Sequence, residues 1–280
     1  MRKLFALLGD PVAHSRSPAM YSRAFALLGA DAAYLPCRVA AADLPAAVLG
    51  LRVLGAAGFN ATVPHKGELL RLCDQLAPAA ERIGAVNCVV REGDTFIGHN
   101  TDAPGLLRAL RVAGVDATGA RAVVLGAGGS ARAAALALAD RVQSLVVINR
   151  TESKARSLAS SAHAAGCAFA EGCASGSEAA TRALAQATLV IHCTTIGLGS
   201  LQLPFDPAQL APGVTLVDLV YAPGGETALL QAARARGLRT VDGIEVLVQQ
   251  GILSLQLWFN RPQLDELRAP LREAALAAAG

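Results

Sequence analysis

The sequence predicts an α/β protein of two domains. Three observations carry that expectation: a length of 280 residues, short apolar runs alternating with longer helical patterns, and one glycine-rich strand-to-helix turn near the middle of the chain. A chain this long exceeds one typical hydrophobic core and suits two domains of ordinary size.

In the first half, Phe5–Gly9 reads as a strand. Pro18–Leu28 reads as a helix, with Ser17 at the N-cap, proline in its first turn and Gly29 past its end. Tyr34–Val39 is expected as a second strand, Asp43–Leu54 as a second helix and Gly58–Val63 as a third strand, with a helix after Pro64. Cys88–Val90 and Thr95–Gly98 flank Glu92-Gly93-Asp94, the signature of a hairpin.

The second half repeats the alternation. Ala122–Leu125 opens into Gly126-Ala127-Gly128-Gly129-Ser130, and a helix begins near Ala131. Strands are expected at Leu145–Ile148, Leu189–His192 and Thr215–Leu219, the pattern of a doubly wound nucleotide-binding sheet. The chain ends in two helical stretches, Ile244–Phe259 and Gln263–Ala279, divided at Pro262. The expected division is a first α/β domain over 1–103, a Rossmann-like dinucleotide domain over 104–243, and terminal helices over 244–280 that can pack back on the first domain, which the pattern alone does not establish.

Composition excludes several classes. Hydrophobic residues make up 53% of the chain, enough for a sizeable core, and the net charge is only +3, with no Lys/Arg block of the kind that tracks nucleic acid or anionic lipid. No apolar run reaches bilayer-spanning length. Charges at Arg2 and Lys3 precede an apolar run, but that run stops at Gly9-Asp10-Pro11 without a small-residue cleavage site, so a first strand is expected there and not a secretory signal. Cys37, Cys73, Cys88, Cys167, Cys173 and Cys193 are dispersed, with no Cys-x-x-Cys pair and no metal-ligand spacing. Reduced thiols, a cytoplasmic location and no metal site are the expectation.

The glycines at 126, 128 and 129 sit where backbone N–H groups and a helix N-terminus can face a pyrophosphate. Glycines alone are weak evidence of a ligand; the strand-turn-helix context strengthens them. An NAD-binding domain usually carries a carboxylate about 20 residues after this loop, on the ribose hydroxyls. Here the corresponding stretch is Asn149-Arg150-Thr151, with Lys154 one turn on. No acid stands there to repel a 2′-phosphate, and a guanidinium offers paired donors to it, so NADP(H) is favoured over NAD. Thr151 also suits a helix cap, and a surface arginine after a capping threonine is the plainer alternative.

Three polar segments resist a purely structural reading: Gly9–Pro18, Asn60–Lys66 and Asn100-Thr101-Asp102, each at a strand end where α/β proteins bind ligands. Together with Ile83–Asn87, the Gly126–Ser130 loop, Asn149–Thr151, Asp218–Tyr221 and Asp242–Gln250, they make eight stretches in the order found in the shikimate/quinate dehydrogenase family, which the chain resembles over nearly its full length.

The resemblance implies an oxidoreductase that reversibly reduces 3-dehydroshikimate to shikimate with NADPH, in chorismate and aromatic amino-acid biosynthesis. It implies Lys66 and Asp102 as the catalytic pair, and Ser15, Ser17 and Tyr221 as hydroxyls for the substrate carboxylate. Thr62, Asn87 and Gln250 would order the ring hydroxyls. Gly126, Ala127, Gly128, Gly129, Ser130, Asn149, Arg150, Thr151 and Lys154 would take the cofactor, with Leu219 and Gly243 as backbone contacts near its nicotinamide end. The partners implied are small molecules, for a monomer or homodimer engaging neither nucleic acid nor membrane.

Elementary chemistry is consistent with those roles. Hydride addition to a ketone creates an alkoxide, which a nearby ammonium stabilises and protonates. Each residue also has a duller reading: Lys66 a solvated helix-start lysine, Asp102 an N-cap, Tyr221 a strand-end tyrosine, Gln250 a solvent-facing glutamine, His14 and His65 shapers of their loops. Two positions depart from the family pattern. Cys88 stands where threonine is usual, and His192-Cys193-Thr194-Thr195 where an Asn-led stretch is common. The competing functions are a quinate/shikimate dehydrogenase, a paralogue acting on an amino or hydroxylated analogue, a methylene-tetrahydrofolate-type dehydrogenase, and a non-catalytic NADP-binding sensor.

Overall fold

The computed structural model describes residues 2–222 and 226–278. Contacts divide the chain into two units, Met1–Gly105 with Leu247–Gly280, and Leu106–Val246. Both breaks fall inside continuous helices, two and three residues beyond the boundaries read from sequence.

The first unit contains β1 (Lys3–Gly9), α1 (Ser17–Leu27), β2 (Ala32–Arg38), α2 (Leu44–Val53), β3 (Gly58–Ala61), α3 (Leu69–Leu72), β4 (Gln75–Leu76), α4 (Pro78–Ile83), β5 (Cys88–Glu92) and β6 (Thr95–His99). Among the described residues they form one sheet in the order β2-β1-β3-β5-β6-β4. The strands β1, β2 and β3 run parallel, and β5 is antiparallel to both β3 and β6. The β5–β6 hairpin turns through Gly93, whose φ of 59° suits glycine.

Sequence periodicity found neither β4 nor α4, because two and six residues are too few to display a period. The core beneath the sheet gathers Leu8, Leu44, Phe59, Leu69, Val89 and Phe96, all buried. The terminal segment contributes an aromatic cluster: Trp258 lies 4.6 Å from Phe5 and 5.1 Å from Tyr21 between ring centroids, and its Nε1 donates to the Val89 carbonyl at 3.0 Å.

The chain crosses to the second unit in α5 (Asp102–Val112). There follow β7 (Arg121–Leu125), α6 (Gly129–Leu138), β8 (Ser144–Asn149), α7 (Glu152–Ala164), β9 (Ala170–Ala174), α8 (Glu178–Gln186), β10 (Leu189–His192), β11 (Thr215–Asp218), α9 (Ala228–Ala235) and β12 (Arg239–Asp242). The chain returns to the first unit along α10 (Gly243–Phe259) and ends in α11 (Arg268–Ala277). The second sheet is parallel throughout its described pairs, in the order β12-β11-β10-β7-β8-β9. This is the doubly wound Rossmann order, with the strand order reversing between β7 and β10. Its central strands are buried on both faces and read as continuous apolar runs, as in Val123, Val124 and Leu125. The strands β9 and β12 went unread because alanine, glycine and charged residues dilute their apolar signal.

Candidate active site

Four helix starts bear on the site. Ser17 is the first helical residue of α1; Arg16 occupies the cap position without a side-chain cap bond, and Ser15 Oγ instead accepts the Ser17 N–H at 3.3 Å. The segment after Pro64 is a run of turns and becomes helical only at Leu69. Two bonds hold it so: the buried His65 Nε2 contacts the Val39 carbonyl at 2.9 Å, and the Lys66 carbonyl is taken by Val86 N–H at 2.8 Å. Lys66 is therefore no solvated helix-start lysine; it is buried. Asp102 is not the cap of α5, because Asn100 Oδ1 accepts the Ala103 N–H at 3.1 Å and leaves the Asp102 carboxylate available elsewhere. Thr151 does stand at the cap position of α7, but makes no side-chain cap bond.

Freed in this way, Lys66 Nζ meets Asp102 Oδ2 at 2.6 Å, with side chains only 11% and 18% exposed. Asn87 Nδ2 donates to Asp102 Oδ1 at 2.8 Å and lies 3.3 Å from Gln250 Oε1. Four of the expected residues, Lys66, Asp102, Asn87 and Gln250, thus share one hydrogen-bonded network. An exposed Lys–Asp pair contributes little, but a largely buried one whose carboxylate is also held by an amide has a fixed geometry.

Behind the network lie residues that had no individual role in the sequence reading, although Asn60 and Thr101 fall in two of the polar segments singled out there. Thr101 O–H donates toward Gln250 Oε1 at 3.3 Å, and its backbone N–H reaches Asn87 Oδ1 at 2.7 Å. Ser254 Oγ donates to the Gln250 carbonyl at 3.1 Å and accepts from Asn60 Nδ2 at 3.2 Å, and Asn60 Oδ1 accepts Tyr34 O–H at 2.9 Å. Ser254 lies one helical turn after Gln250, so its spacing placed both on one face of α10; nothing in the sequence paired either with Asn60. Gln250 does not face solvent: it packs directly against Gly105, where an added Cβ would fall 2.7 Å from its own Cβ.

Ser15 is half-buried between β1 and α1, and Ser17 is buried at the start of α1. Thr62 is half-buried just past β3, its N–H bonded to the Leu8 carbonyl at 2.9 Å. Cys88 is fully buried, and burial pushes its thiol up to about 12, so at neutral pH this departure from the family pattern presents a small neutral group. His14 is exposed.

In the second unit the glycine-rich loop joins β7 to α6. Gly126 has φ of 113°, open to glycine alone, and an added Cβ would approach Cys193 and Thr194 to 3.3 Å. A Cβ on Gly128 would meet nothing within 4 Å. Ala127, Gly129 and Ser130 are half-buried around the first turn of α6, whose N-terminus suits an anion. At the end of β8, Asn149 Nδ2 donates to the Thr151 carbonyl at 2.9 Å, while Arg150 and Lys154 are exposed.

A cavity is lined by Ala127, Arg132, Ser153, Lys154, Ser157 and Leu158. It brings a second cation, Arg132, that sequence reading did not assign; its position four residues past Gly128, on the first turns of α6, was the available signal. Gly243 lies against Leu219: an added Cβ would meet the Leu219 carbonyl oxygen at 2.6 Å. Tyr221 is half-buried three residues past β11. Backbone freedom at 126, open space at 128 and cations beside Ala127 fit a phosphorylated dinucleotide. Among the described residues no cluster of His, Cys, Asp and Glu is arranged to hold a metal, and no helix is long and apolar enough to cross a membrane.

Comparisons with known proteins converge. Residues 7–89 match the family model of the shikimate dehydrogenase substrate binding domain, and residues 108–196 match that of shikimate / quinate 5-dehydrogenase. The chain is 44% identical to a shikimate dehydrogenase (NADP(+)) of Symbiobacterium thermophilum, over 99% of this chain and 94% of that protein. The structure of shikimate 5-dehydrogenase from Thermus thermophilus, in complex with NADP(H) and shikimate, superposes with a TM-score of 0.86 at 34% identity, covering 98% of each chain. Quinate dehydrogenase from Corynebacterium glutamicum in complex with NAD superposes with a TM-score of 0.87 at 30% identity, over 99% of each chain.

Proposed function

The chain belongs to the shikimate dehydrogenase family, and from that premise we propose that it catalyses the reversible NADPH-dependent reduction of 3-dehydroshikimate to shikimate, the step used in aromatic amino-acid biosynthesis. The observation that carries the reading is the Lys66–Asp102 pair at 2.6 Å, tied through Asn87 to Gln250. A sensor that only bound the cofactor would need no such pair.

Bound NADPH supplies a hydride to the carbonyl carbon of the substrate. Lys66 Nζ then stabilises the alkoxide oxygen and delivers its proton, becoming a neutral amine that solvent reprotonates; in the reverse direction it accepts the hydroxyl proton. Asp102 orients the ammonium and offers its second oxygen toward a neighbouring hydroxyl of the ring. Asn87, Gln250 and Thr62 supply the mixed donors and acceptors a vicinal polyol requires. Ser15, Ser17 and Tyr221 would hold the carboxylate, a role that for all three rests on the family resemblance.

Within the second unit, Gly126, Ala127, Gly128, Gly129 and Ser130 would cradle the pyrophosphate and Asn149, Arg150, Thr151 and Lys154 the 2′-phosphoribose. Leu219 and Gly243 would approach the nicotinamide end with backbone atoms. The first unit with its returning terminal helices is thus the substrate domain and the second the cofactor domain. The reading extends to a cytoplasmic monomer or homodimer whose partners are small molecules; dispersed free thiols support the reducing compartment.

The test is absorbance of the reduced nicotinamide, with shikimate or quinate crossed against NADP+ or NAD+. Turnover with shikimate and NADP+ well above the other three combinations is expected. Preference for quinate with NAD+ would move the chain to the quinate branch, and silence in all four would overturn the reading.

A further inference from the structure

The family pattern is broken at His192, and the structure gives the substitution a use. His192 ends β10, in register with Leu125 of β7 on one side and Asp218 of β11 on the other. This is the strand pair where the sheet order reverses, the place where doubly wound folds bind their ligand. The imidazole is fully buried and uses both nitrogens: Nδ1 lies 2.8 Å from Asp218 Oδ1 and Nε2 lies 2.5 Å from Thr194 Oγ1.

The hydrogen-bond inventory sets the direction of the chain. Asp218, itself buried, accepts the Val220 N–H at 3.0 Å on Oδ1 and the Thr227 O–H at 2.6 Å on Oδ2, so an ionised carboxylate here accepts throughout and Nδ1 carries the proton. In the neutral ring Nε2 then accepts from the Thr194 hydroxyl, whose oxygen in turn accepts the Ile196 N–H at 3.2 Å. Every polar atom along Thr227, Asp218, His192 and Thr194 is satisfied in this arrangement.

Both ends of the chain meet backbone assigned to the cofactor. Thr194 and Cys193 form the wall against Gly126, at 3.3 Å from where its Cβ would stand. Asp218 fixes Val220 N–H, and Leu219 N–H bonds to the His192 carbonyl at 3.0 Å; this is the segment that Gly243 approaches. We propose that His192 is a positioning residue for NADP(H): through Thr194 and Asp218 it sets the spacing between the Gly126 loop and the Leu219–Val220 backbone, and so the affinity for the dinucleotide. The inference rests on the cofactor assignment above. A side chain shorter than histidine spans only one of the two bonds; asparagine keeps a donor at the Nδ1 position for Asp218 and loses the reach to Thr194.

The experiment is calorimetric titration of NADP+ into the full-length parent, His192→Ala and His192→Asn, at a temperature where each is folded by circular dichroism, with steady-state KM for NADP+ and shikimate alongside. We expect His192→Ala to weaken NADP+ binding about tenfold, the scale of one buried hydrogen-bond link. The shikimate KM should stay within about twofold of the parent, and His192→Asn should recover part of the loss by re-pairing Asp218. Unchanged NADP+ affinity in folded His192→Ala would overturn the inference while leaving the proposed reaction standing. So would equal rises in both KM values, or a His192→Asn no better than His192→Ala, since those mark general destabilisation. A parent that binds NADP+ but does not turn over shikimate would overturn the proposed reaction alone, because the titration still reads this inference. A parent that binds no NADP+ would overturn both.

Discussion

The two units place their chemistry in opposite ways. In the first, Lys66, Asp102, Asn87 and Gln250 come from four separate stretches of chain and are joined by side-chain bonds in a largely buried network. In the second, the loop proposed for the dinucleotide, 126–130, is one contiguous stretch suited to work through its backbone, and the charged side chains proposed for the 2′-phosphate, at 150 and 154 after β8, stand in solvent. A buried network is cooperative: removing one member leaves others unsatisfied. A backbone loop with exposed cations is modular, and losing one cation weakens one contact. The contrast predicts which substitutions damage turnover and which only retune affinity.

The largest effect is expected at Lys66. Lys66→Ala should lower kcat by about a hundred- to ten-thousandfold, the range for a positioned proton-transfer group, with calorimetric NADP+ affinity unchanged. Comparable losses in both would erase the difference between the units. Next comes Arg150→Ala combined with Lys154→Ala. Losing charge-assisted bonds to a 2′-phosphate should cut the NADP+ over NAD+ preference in kcat/KM by about ten- to a hundredfold, leaving the shikimate KM alone. An unaltered preference would shift the phosphate site toward Arg132.

Ser254→Ala probes the support behind the network. Asn60 and the Gln250 carbonyl would each lose a partner, so stability should fall by about 1–3 kcal/mol in a urea titration, without change in NADP+ affinity. A neutral result would mean that the network does not need its inner layer.

The smallest effect concerns acid stability of the first unit. Burial lowers the pKa of His99 below its ordinary value. The unfolded chain therefore takes up this proton first as pH falls. The stability contribution is whole above the unfolded value of about 6.5 and declines from there toward the folded pKa. The melting temperature of His99→Gln should fall less between pH 7 and 5 than that of the parent; parallel slopes would assign the acid limb to other groups.

The same contrast explains what could be read from the sequence. The strand-glycine-helix loop at 122–131 and the absence of an acid at 149–151 are local, and local patterns survive in one dimension. The alternation of strand and helix likewise exposed the α/β class, because long periodic elements display their period. The first-unit residues could be nominated only jointly, through eight ordered stretches; singly, Lys66 read as a helix-start lysine and Asp102 as a cap. What displaced those readings is tertiary: Val86 takes the Lys66 carbonyl and Asn100 caps α5 in place of Asp102. Ser254, Asn60 and Tyr34 were unreadable because their partners lie far away along the chain, and the bond between His192 and Asp218 depends on strand register.

The central claim is that Lys66 and Asp102 act as one unit, and a double-mutant cycle tests it most directly. The kcat of Lys66→Ala, Asp102→Asn and the combined variant would be measured with shikimate and NADP+ saturating, and folding checked by NADP+ titration. Residues that work as a unit are strongly non-additive, so the double variant should be no slower than the worse single one. Losses that multiply would contradict the account, since the two side chains would then be acting independently despite their contact.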